Sequence, residues 1–312
     1  MELRHLRYFL VVAEEGQFTR AAARLAMQQP PLSQQIRLLE EEIGFELFER
    51  LPRGVVLTDA GKAFAEDAQR ILDGLHQSVE RAARIARGEI GTLSIGLTSS
   101  ASFHPLTTEA IREFRRLHPD VGVDLIELNA AEVSERLTGG LVHVAFLRKP
   151  VELPPDLSFE VLDEEPMVVV LRDDHPLVAR KRGRQPRTGQ PEVELRSLAS
   201  EDFILVRRPG APGMYADILS ACREAGFSPH IAREVPRMLS GIKLVSTGLG
   251  VTLVPASMQR YNQVGVVYCR LKKPHALSAP LTLSFPSTLS NGAAIRFVEF
   301  VQQRFRGGGG VR

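Results

Sequence analysis

A polar but uncharged run opens the segment MQQPPLSQQIRLLEEEIG, residues 27–44. Gln29, Ser33 and Gln34 carry side chains that both donate and accept hydrogen bonds, and glutamine can form a bidentate pair with adenine. Pro30 adds an apolar surface suited to a thymine methyl group. This chemistry suits recognition of base edges in DNA. Polar side chains alone would fit an ordinary solvated helix face equally well.

The two prolines of this segment indicate where its helix begins. Proline in a helix interior costs about 3 kcal/mol, but in the first turn its missing N–H would have had no partner anyway. Carboxylates return only with Glu40, so the free N–H groups of the first turn can meet a phosphate. The apolar positions Leu32, Ile36, Leu39 and Ile43 would face a core.

The surrounding segments predict a winged helix-turn-helix. A first helix, LRHLRYFLVVAEEG, stops at Gly16, and a second, FTRAAARLAM, has Thr19 as a candidate cap. Three short helices with tight connections are typical of the helix-turn-helix. In FELFERLPRGVVLTDAG we expect two short strands with Pro52, Arg53 and Gly54 at their tip. Arg53 would meet phosphate or the minor groove, or would simply be solvated.

A fourth helix, predicted from about residue 60 to 87, has apolar residues that alternate in steps of four and three. This a/d pattern predicts pairing with a second copy of the helix, although packing on its own domain is the alternative. The candidate pairing residues are Ala68, Leu72, Leu75, Val79 and Ala82, with Ala86 continuing the pattern.

From Thr92 onward, strand-like and helix-like segments alternate, which predicts an α/β domain with a parallel sheet covered by helices on both faces. The basic, proline-containing segment 180–194 predicts a solvated loop, and the tail GGGG at 307–310 predicts disorder.

Composition sets broad limits. The chain of 312 residues is 44% hydrophobic and 24% charged, and its net charge of +2 does not reveal a partner. We find no cleavable signal, no apolar run long enough for a bilayer, and only two cysteines, Cys222 and Cys269. We therefore expect a cytoplasmic protein.

Over its whole length the chain resembles a LysR-type transcriptional regulator. The most specific segments are LRYFLVVAEEGQFTRAAARL, QQPPLSQQIRLLEEEIGFELFER and VVLTDAG, and MELRHLRYF and QPPLS are similar to the benzoate and muconate regulator branch. The effector-domain segments TSSASFHP, HPLVAR and LVSTGLGVTLVPAS also fit.

The resemblance implies a fold and a domain plan. The fold would be α/β with an N-terminal all-α winged helix-turn-helix, a linker helix and a two-lobed effector domain similar to periplasmic binding proteins. We expect the DNA-binding domain at 1–58, the dimerisation helix at 59–90 and the effector domain at 91–306, followed by a tail at 307–312. Lobe I would comprise about 91–161 and 268–306, and lobe II about 162–267.

The resemblance also implies partners. The protein would be a homotetramer built from two dimers on an interrupted palindrome of double-stranded DNA, with RNA polymerase as a further partner. A small organic acid would act as effector, without a metal or other cofactor. The residues expected to contact DNA are Gln29, Pro30, Ser33, Gln34, Arg37 and Arg53. Many relatives carry Arg or Lys where this chain has Gln34, so we expect a shifted base preference or a weaker salt dependence there.

Effectors of open α/β lobes bind beyond the carboxyl ends of strands. Thr98, Ser99 and Ser100 follow the strand TLSIG and offer hydroxyls for a carboxylate, or alternatively cap a helix. Asn129 follows VDLIEL, where Ala130 lacks the hydroxyl of muconate-type relatives, so muconate is not assumed. The remaining candidates are Arg148, which would pair an effector carboxylate or a structural acid, and the helix start Gly213, Met214 and Tyr215.

Three other functions have less support in the sequence. An enzyme lacks support, because no histidine cluster, P-loop or nucleophile elbow is present, and His104 beside Ser102 fits a capping or surface histidine better than a catalytic pair. A solute-binding protein would explain residues 92–300 but not the N-terminal segment. A redox-sensing regulator would need Cys222 or Cys269, which are better interpreted as inert thiols.

Overall fold

The computed structural model describes residues 1–150, 154–178, 190–206 and 213–305. The predicted tail and most of the predicted loop at 180–194 lie outside these residues. The chain divides into two compact units, Met1–Arg84 and Ile85–Arg312.

The first unit is a winged helix-turn-helix, as predicted. Its core contains Leu6, Phe9, Leu32, Ile36 and Leu39, all almost fully buried. Its elements are α1 (Leu3–Glu15), α2 (Phe18–Arg24), α3 (Gln29–Ile43), β1 (Phe48–Leu51), β2 (Gly54–Leu57) and the start of α4 (Asp59–Ala86).

Helix α3 begins as the prolines indicated. Gln28 is its N-cap, both prolines lie in the first turn, and that turn contains no acidic residue. Gly44 ends the helix in the left-handed conformation at φ 85°, which glycine adopts without steric cost. The burial of Leu32, Ile36 and Leu39 leaves the opposite face of α3 exposed.

The predicted cap of α2 is wrong. Gln17 is the N-cap residue, and Thr19 lies inside the first turn. There the Thr19 hydroxyl donates to Gln29 Oε1 at 3.1 Å. Thr19 therefore links the two helices of the motif instead of capping the first.

The wing is anchored at both of its ends. Glu40 Oε1 accepts hydrogen bonds from the backbone N–H groups of Leu47 and Phe48, at 2.8 and 3.2 Å. At the other end, a Cβ on Gly54 would lie 2.4 Å from the carbonyl oxygen of Gly16, so the close approach of the wing to the end of α1 requires glycine. Strand pairing runs from Phe48 opposite Leu57 to Leu51 opposite Gly54.

Helix α4 is capped by Thr58, whose hydroxyl accepts from the N–H of Gly61 at 2.8 Å. Ala68 is fully buried in the core of the winged unit. It is therefore unavailable to a second chain, which corrects the predicted start of the pairing face. Beyond Leu72, which is partly buried, Leu75 is 37% and Val79 63% exposed.

The second unit contains the following elements: β3 (Gly91–Thr98), α5 (Ser99–Ser102), α6 (Pro105–Leu117), β4 (Val121–Leu128), α7 (Ala130–Thr138), β5 (Val144–Leu147), β6 (Leu157–Arg172), β7 (Glu192–Val193), β8 (Asp202–Val206), α8 (Gly213–Glu224), β9 (His230–Val235), α9 (Met238–Ser246), β10 (Thr252–Pro255), β11 (Val266–Leu271), β12 (Ser278–Pro286) and α10 (Gly292–Phe305).

The main sheet is mixed, which corrects the expectation of a parallel sheet. Its strand order is β4-β3-β5-β12-β6-β11-β7, with β10 also paired to β6. Strands β3, β4 and β5 are parallel, whereas β12 is antiparallel to both β5 and β6. The sheet is mixed because β6 and β12 cross between two lobes in opposite directions. A separate parallel pair, β8-β9, lies in the second lobe.

The strand register defines the two lobes. β6 pairs with β12 from Leu157 to Pro166, then with β10 and β11 from Met167 to Arg172. We therefore call the part that contains β3–β5 and α10 lobe I, and the part that contains β7–β11 lobe II. β11 lies wholly in lobe II, so the predicted boundary at residue 268 falls inside a strand and is too early.

Candidate functional site

The exposed face of α3 contains the residues predicted to contact DNA. Gln29, Pro30, Gln34 and Arg37 are exposed, and Ser33 is half-buried. Positions 30, 33, 34 and 37 have the spacing that places side chains on one face of a helix. We call these five residues the recognition face. It carries amide, hydroxyl and guanidinium groups without a carboxylate, so it can donate to both phosphates and bases.

The orientation of Gln29 is fixed from α2. Because Thr19 donates to Gln29 Oε1, the Gln29 amide nitrogen keeps its donors for another partner. Sequence reasoning missed Thr19 in this role, since a threonine near a helix start has the same pattern as a cap.

The wing tip presents Arg53. Its side chain is exposed, and its carbonyl oxygen accepts from Gln17 Nε2 at 3.3 Å. This bond joins the tip to the residue before α2. The structure thus holds the Arg53 backbone while leaving its guanidinium facing solvent.

Between the lobes of the second unit lies a cavity of about 120 Å³. All eight residues predicted to contact an effector line it, and so do seven that were not predicted as contacts. The predicted ones are Thr98, Ser99, Ser100, Asn129, Arg148, Gly213, Met214 and Tyr215. The others are Leu128, Ala130, Lys149, Val206, Pro236, Arg237 and Met238.

These side chains converge because of strand topology. Parallel strands β3, β4 and β5 end at Thr98, Leu128 and Leu147, so the residues that follow them meet at one edge of the sheet. In lobe II, β8 and β9 are also parallel and end at Val206 and Val235. Arg237 follows β9 by the same rule, but β9 was not recognised as a strand in the sequence.

Two polar groups of the β3–α5 turn differ in whether they have a partner. Thr98 is buried, and its Oγ1 has no hydrogen-bond partner among the residues that the structure describes. The carbonyl oxygen of Ser100 accepts from Arg148 Nη2 at 2.7 Å. Thr98 makes no side-chain cap to α5, so none of the described residues engages its hydroxyl.

Asn129 has a structural task as well. Its Oδ1 accepts from the N–H of Glu132 at 3.0 Å, and Glu132 Oε2 accepts from the N–H of Asn129 at 2.9 Å. This reciprocal arrangement is a capping box that stabilises the start of α7. Capping therefore accounts for the side-chain oxygen of Asn129 without a ligand.

Arg148 is 4% exposed and makes the structural pair that was one of its two predicted roles. Its Nη2 lies 2.7 Å from Glu165 Oε1 and donates to Ser257 Oγ at 2.9 Å. Burial lowers the pKa of Arg148, and the charge of Glu165 opposes that shift. Its Nε and Nη1 have no hydrogen-bond partner in the described part of the chain. The second predicted role, binding an effector carboxylate, thus remains open to these two nitrogens.

His104 lies behind this pair and caps α6. Its Nδ1 accepts from the N–H of Leu106 at 3.3 Å, and its Nε2 lies 3.3 Å from Asp163 Oδ2. Burial is the main reason that its pKa is lowered from 6.5. Ser102 donates to the carbonyl oxygen of Ser99 at 2.7 Å, so the two residues do not form a nucleophile–base pair.

Two ion pairs lie at the edge of the cavity. Lys149 Nζ lies 2.8 Å from both carboxylate oxygens of Asp217, and Arg237 Nη1 lies 2.8 Å from Glu127 Oε1. Each pair joins lobe I to lobe II. No acidic side chain belongs to the described lining of the cavity.

The cysteines belong to the core of lobe II. Cys222 and Cys269 are fully buried and form no disulfide. Burial raises the pKa of the Cys222 thiol to about 11, which disfavours the reactive thiolate at neutral pH.

Within the described ranges, no three or more histidine, cysteine or acidic residues are grouped so that they could hold a metal ion. Over the same ranges, no helix has the length and apolar character needed to cross a membrane.

A winged helix-turn-helix and a two-lobed domain with a cavity between its lobes together define a ligand-responsive DNA-binding regulator. Residues 3–62 match the bacterial regulatory helix-turn-helix protein of the lysR family, and residues 86–306 match the LysR substrate binding domain. The chain belongs to the LysR family of transcriptional regulators, which combine DNA binding with an effector-binding domain.

Individual relatives support this family assignment. The HTH-type transcriptional regulator YnfL of Escherichia coli is 42% identical over 83% of this chain and 84% of its own length. BenM of Acinetobacter baylyi is 34% identical over 89% and 88%. The crystal structure of full-length CbnR, a LysR family regulator solved with its target DNA, covers 97% of this chain and 99% of its own, at a TM-score of 0.71 and 30% identity.

Proposed function

We propose that this regulator binds operator DNA through the recognition face and Arg53, and that a small organic anion in the interlobe cavity modulates this binding. The observation that carries the effector part concerns the described residues of the lining: they include no carboxylate, and Arg148 Nε and Nη1 and Thr98 Oγ1 are buried without a partner among the described residues. A buried donor without an acceptor costs about 1–3 kcal/mol, which a carboxylate ligand would recover.

The DNA part is supported by exposure and chemistry. Gln29 and Gln34 can form bidentate pairs with adenine, and each such pair discriminates between bases by about 1–3 kcal/mol. Arg37 and Arg53 suit phosphate contacts, and the acid-free start of α3 suits a phosphate near its N–H groups. CbnR was solved in complex with its target DNA, and we infer the same use of the N-terminal unit here.

Assembly is proposed through α4. Leu75, Val79 and Ala82 form an exposed apolar stripe continuous with the half-buried Leu72. A second copy of the helix would cover it as in a coiled coil. Dimers built on α4, and tetramers built from two dimers, would match an interrupted palindrome. RNA polymerase would then be the partner through which such a regulator acts.

The proposed domain plan keeps the predicted winged domain at 1–58, the linker helix at 59–90 and the effector domain at 91–306. We further propose that the protein acts in the cytoplasm, where the DNA is, and binds its effector without turning it over. The enzyme and the redox-sensor alternatives gain no support: His104 and Ser102 are not paired, and the Cys222 thiol is buried with a raised pKa.

Ligand binding to the full-length protein tests the effector site. In a thermal-shift screen of small carboxylic acids, at least one should raise the unfolding temperature, because a ligand bound only to the folded state stabilises it. Thr98→Val should weaken that binding about tenfold, the effect of one lost hydrogen bond of about 1.4 kcal/mol. Thr98→Ser, which keeps the hydroxyl, serves as the control. Equal binding by all three proteins would contradict the proposed site, and product formation would contradict a pure binding role.

A further inference from the structure

Among the described residues that line the cavity, three side chains are cationic, and each is already engaged by a protein carboxylate. The three pairs are Arg148 with Glu165, Lys149 with Asp217, and Arg237 with Glu127. None of these three carboxylates belongs to the described lining of the cavity, so each lies behind the cation that it binds. Within these three described pairs, the charges therefore balance before any ligand binds.

The three ion pairs differ in how deeply their cations are buried. Arg148 is buried and retains two nitrogens without hydrogen-bond partners in the described chain, so it can accept one more anion. Lys149 and Arg237 are about half exposed and lie at the edge of the cavity. Lys149 contacts both oxygens of Asp217, at 2.8 Å each.

The inner donors suffice for one carboxylate. Arg148 has Nε and Nη1 without partners in the described chain, and their N–H bonds point to different sides of the guanidinium, so a carboxylate would take one of them together with the Thr98 hydroxyl. The first turn of α9 adds N–H groups, because Arg237 at its N-cap provides no side-chain cap. A single carboxylate of the ligand would therefore find hydrogen-bond donors in the interior.

A second carboxylate on the same ligand would meet a different environment. To reach Lys149 or Arg237 it would have to approach Asp217 or Glu127, which already occupy those cations. Like charges brought together in a partly enclosed site are strongly unfavourable. The cavity is also small: its volume is about 120 Å³, whereas an apolar cavity of about 150 Å³ admits benzene.

We propose that Asp217 and Glu127 are specificity-determining residues that restrict the cavity to compact monocarboxylates and exclude dicarboxylates. They do so by neutralising the two cations that a second carboxylate would need. This inference rests on the proposed anion-binding function of the same cavity. It goes further in naming the charge of the ligand and the residues that set it.

The test compares ligands that differ by one charge at nearly constant shape. Calorimetric titration of the full-length protein would use propionate, butyrate and malonamate as monocarboxylates, and malonate and succinate as dicarboxylates. Malonate and malonamate are the matched pair, because an amide replaces one carboxylate. We expect the wild-type protein to bind malonamate at least about tenfold more tightly than malonate.

The variants Asp217→Asn, Glu127→Gln and the double variant release Lys149 and Arg237 with little change in shape. In the double variant the preference for malonamate over malonate should fall about tenfold, with each single variant intermediate. Retained binding of the monocarboxylates shows that the variants are folded. Glu224→Gln, at the exposed far end of α8, is the control and should leave the preference unchanged.

The outcomes separate the two proposals. Equal binding of malonate and malonamate by the wild-type protein, or an unchanged ratio in all three variants, would overturn the specificity role while leaving the anion site intact. If none of the five carboxylates binds the wild-type protein, both the specificity role and the proposed anion site fail.

Discussion

Arg148 and Glu165 form a buried ion pair, with Nη2 and Oε1 2.7 Å apart, that joins the end of β5 to the crossing strand β6. Ser257 of lobe II binds the same carboxylate through its N–H at 2.5 Å and its hydroxyl at 2.8 Å. One side chain of the effector cavity is thereby connected to both lobes.

Removing Glu165 should destabilise the effector unit. Glu165→Ala leaves the buried Arg148 charge without its partner, which typically costs about 3 kcal/mol. We expect a loss of that order in the free energy of unfolding, measured by urea denaturation. Glu164→Ala, at the exposed neighbouring position, should change it by less than about 0.5 kcal/mol. Equal effects of the two substitutions would show that the pair contributes nothing.

Acid should weaken the effector unit through three of its histidines. Burial is the main cause that lowers the pKa values of His104, His118 and His143 from 6.5. The unfolded chain therefore binds protons first as the pH falls. Their contribution to stability is complete above pH 6.5 and is lost as the pH falls from 6.5 toward the lower folded-state values.

The substitution His104→Asn isolates one of these groups. Asparagine can still cap α6 but does not titrate. The decrease in unfolding free energy between about pH 7.5 and pH 5.5 should be smaller in the variant than in the wild type. An identical decrease in both proteins would exclude His104 as a contributor.

Gln34→Arg tests the recognition face. An added phosphate contact should make the slope of log K against log salt steeper by about 0.9. If the new guanidinium contacts a base instead, the preference should shift from adenine toward guanine. Operator binding at several salt concentrations measures both effects. Gln303→Arg, which adds the same charge at an exposed site of α10, should produce neither.

Thr19 should act on DNA through Gln29. Thr19→Val removes the hydroxyl that fixes the Gln29 amide and should weaken operator binding about fivefold, part of the value of one bidentate pair. Thr19→Ser retains the hydroxyl and should bind as the wild type does. The decisive comparison uses an operator with a substitution at the base that Gln29 contacts. On this operator, Thr19→Val and the wild-type protein should bind with equal affinity.

The α4 stripe should control assembly. Leu75→Glu places a charge on the exposed apolar face and should convert dimers to monomers, with operator binding lost in parallel. Gln77→Glu, two residues further along the exposed part of α4, is expected to preserve both. Sedimentation velocity and a mobility-shift assay measure the two properties. Dimers that persist in Leu75→Glu would place the assembly surface elsewhere.

The winged unit was predictable because its signals are local. The prolines of α3, the glycines at 16 and 44 and the helical period of the core residues each specify structure within one or two turns. Ala68 was misassigned for a tertiary reason: the a/d pattern continues without a break into the part of α4 that packs on its own domain.

The effector domain was less predictable where pairing overrides local pattern. The middle of β6 includes Asp163, Glu164 and Glu165, and β9 includes the exposed Arg233 and Glu234. Neither resembles a buried strand, and each forms because a partner strand lies beside it. Because β9 was not recognised in the sequence, Arg237, which follows this strand, was not predicted to line the cavity. The ion pairs have no sequence signal, since they join residues brought together only by the fold.

Occupation of the interlobe cavity should change how this protein binds DNA. The measurement is a DNase footprint of the full-length protein on its operator, with and without a carboxylate that binds the protein. In the wild type the ligand should change the footprint or the operator affinity, and Thr98→Val should require about tenfold more ligand for the same change. A footprint and affinity unaltered at saturating ligand would contradict the account.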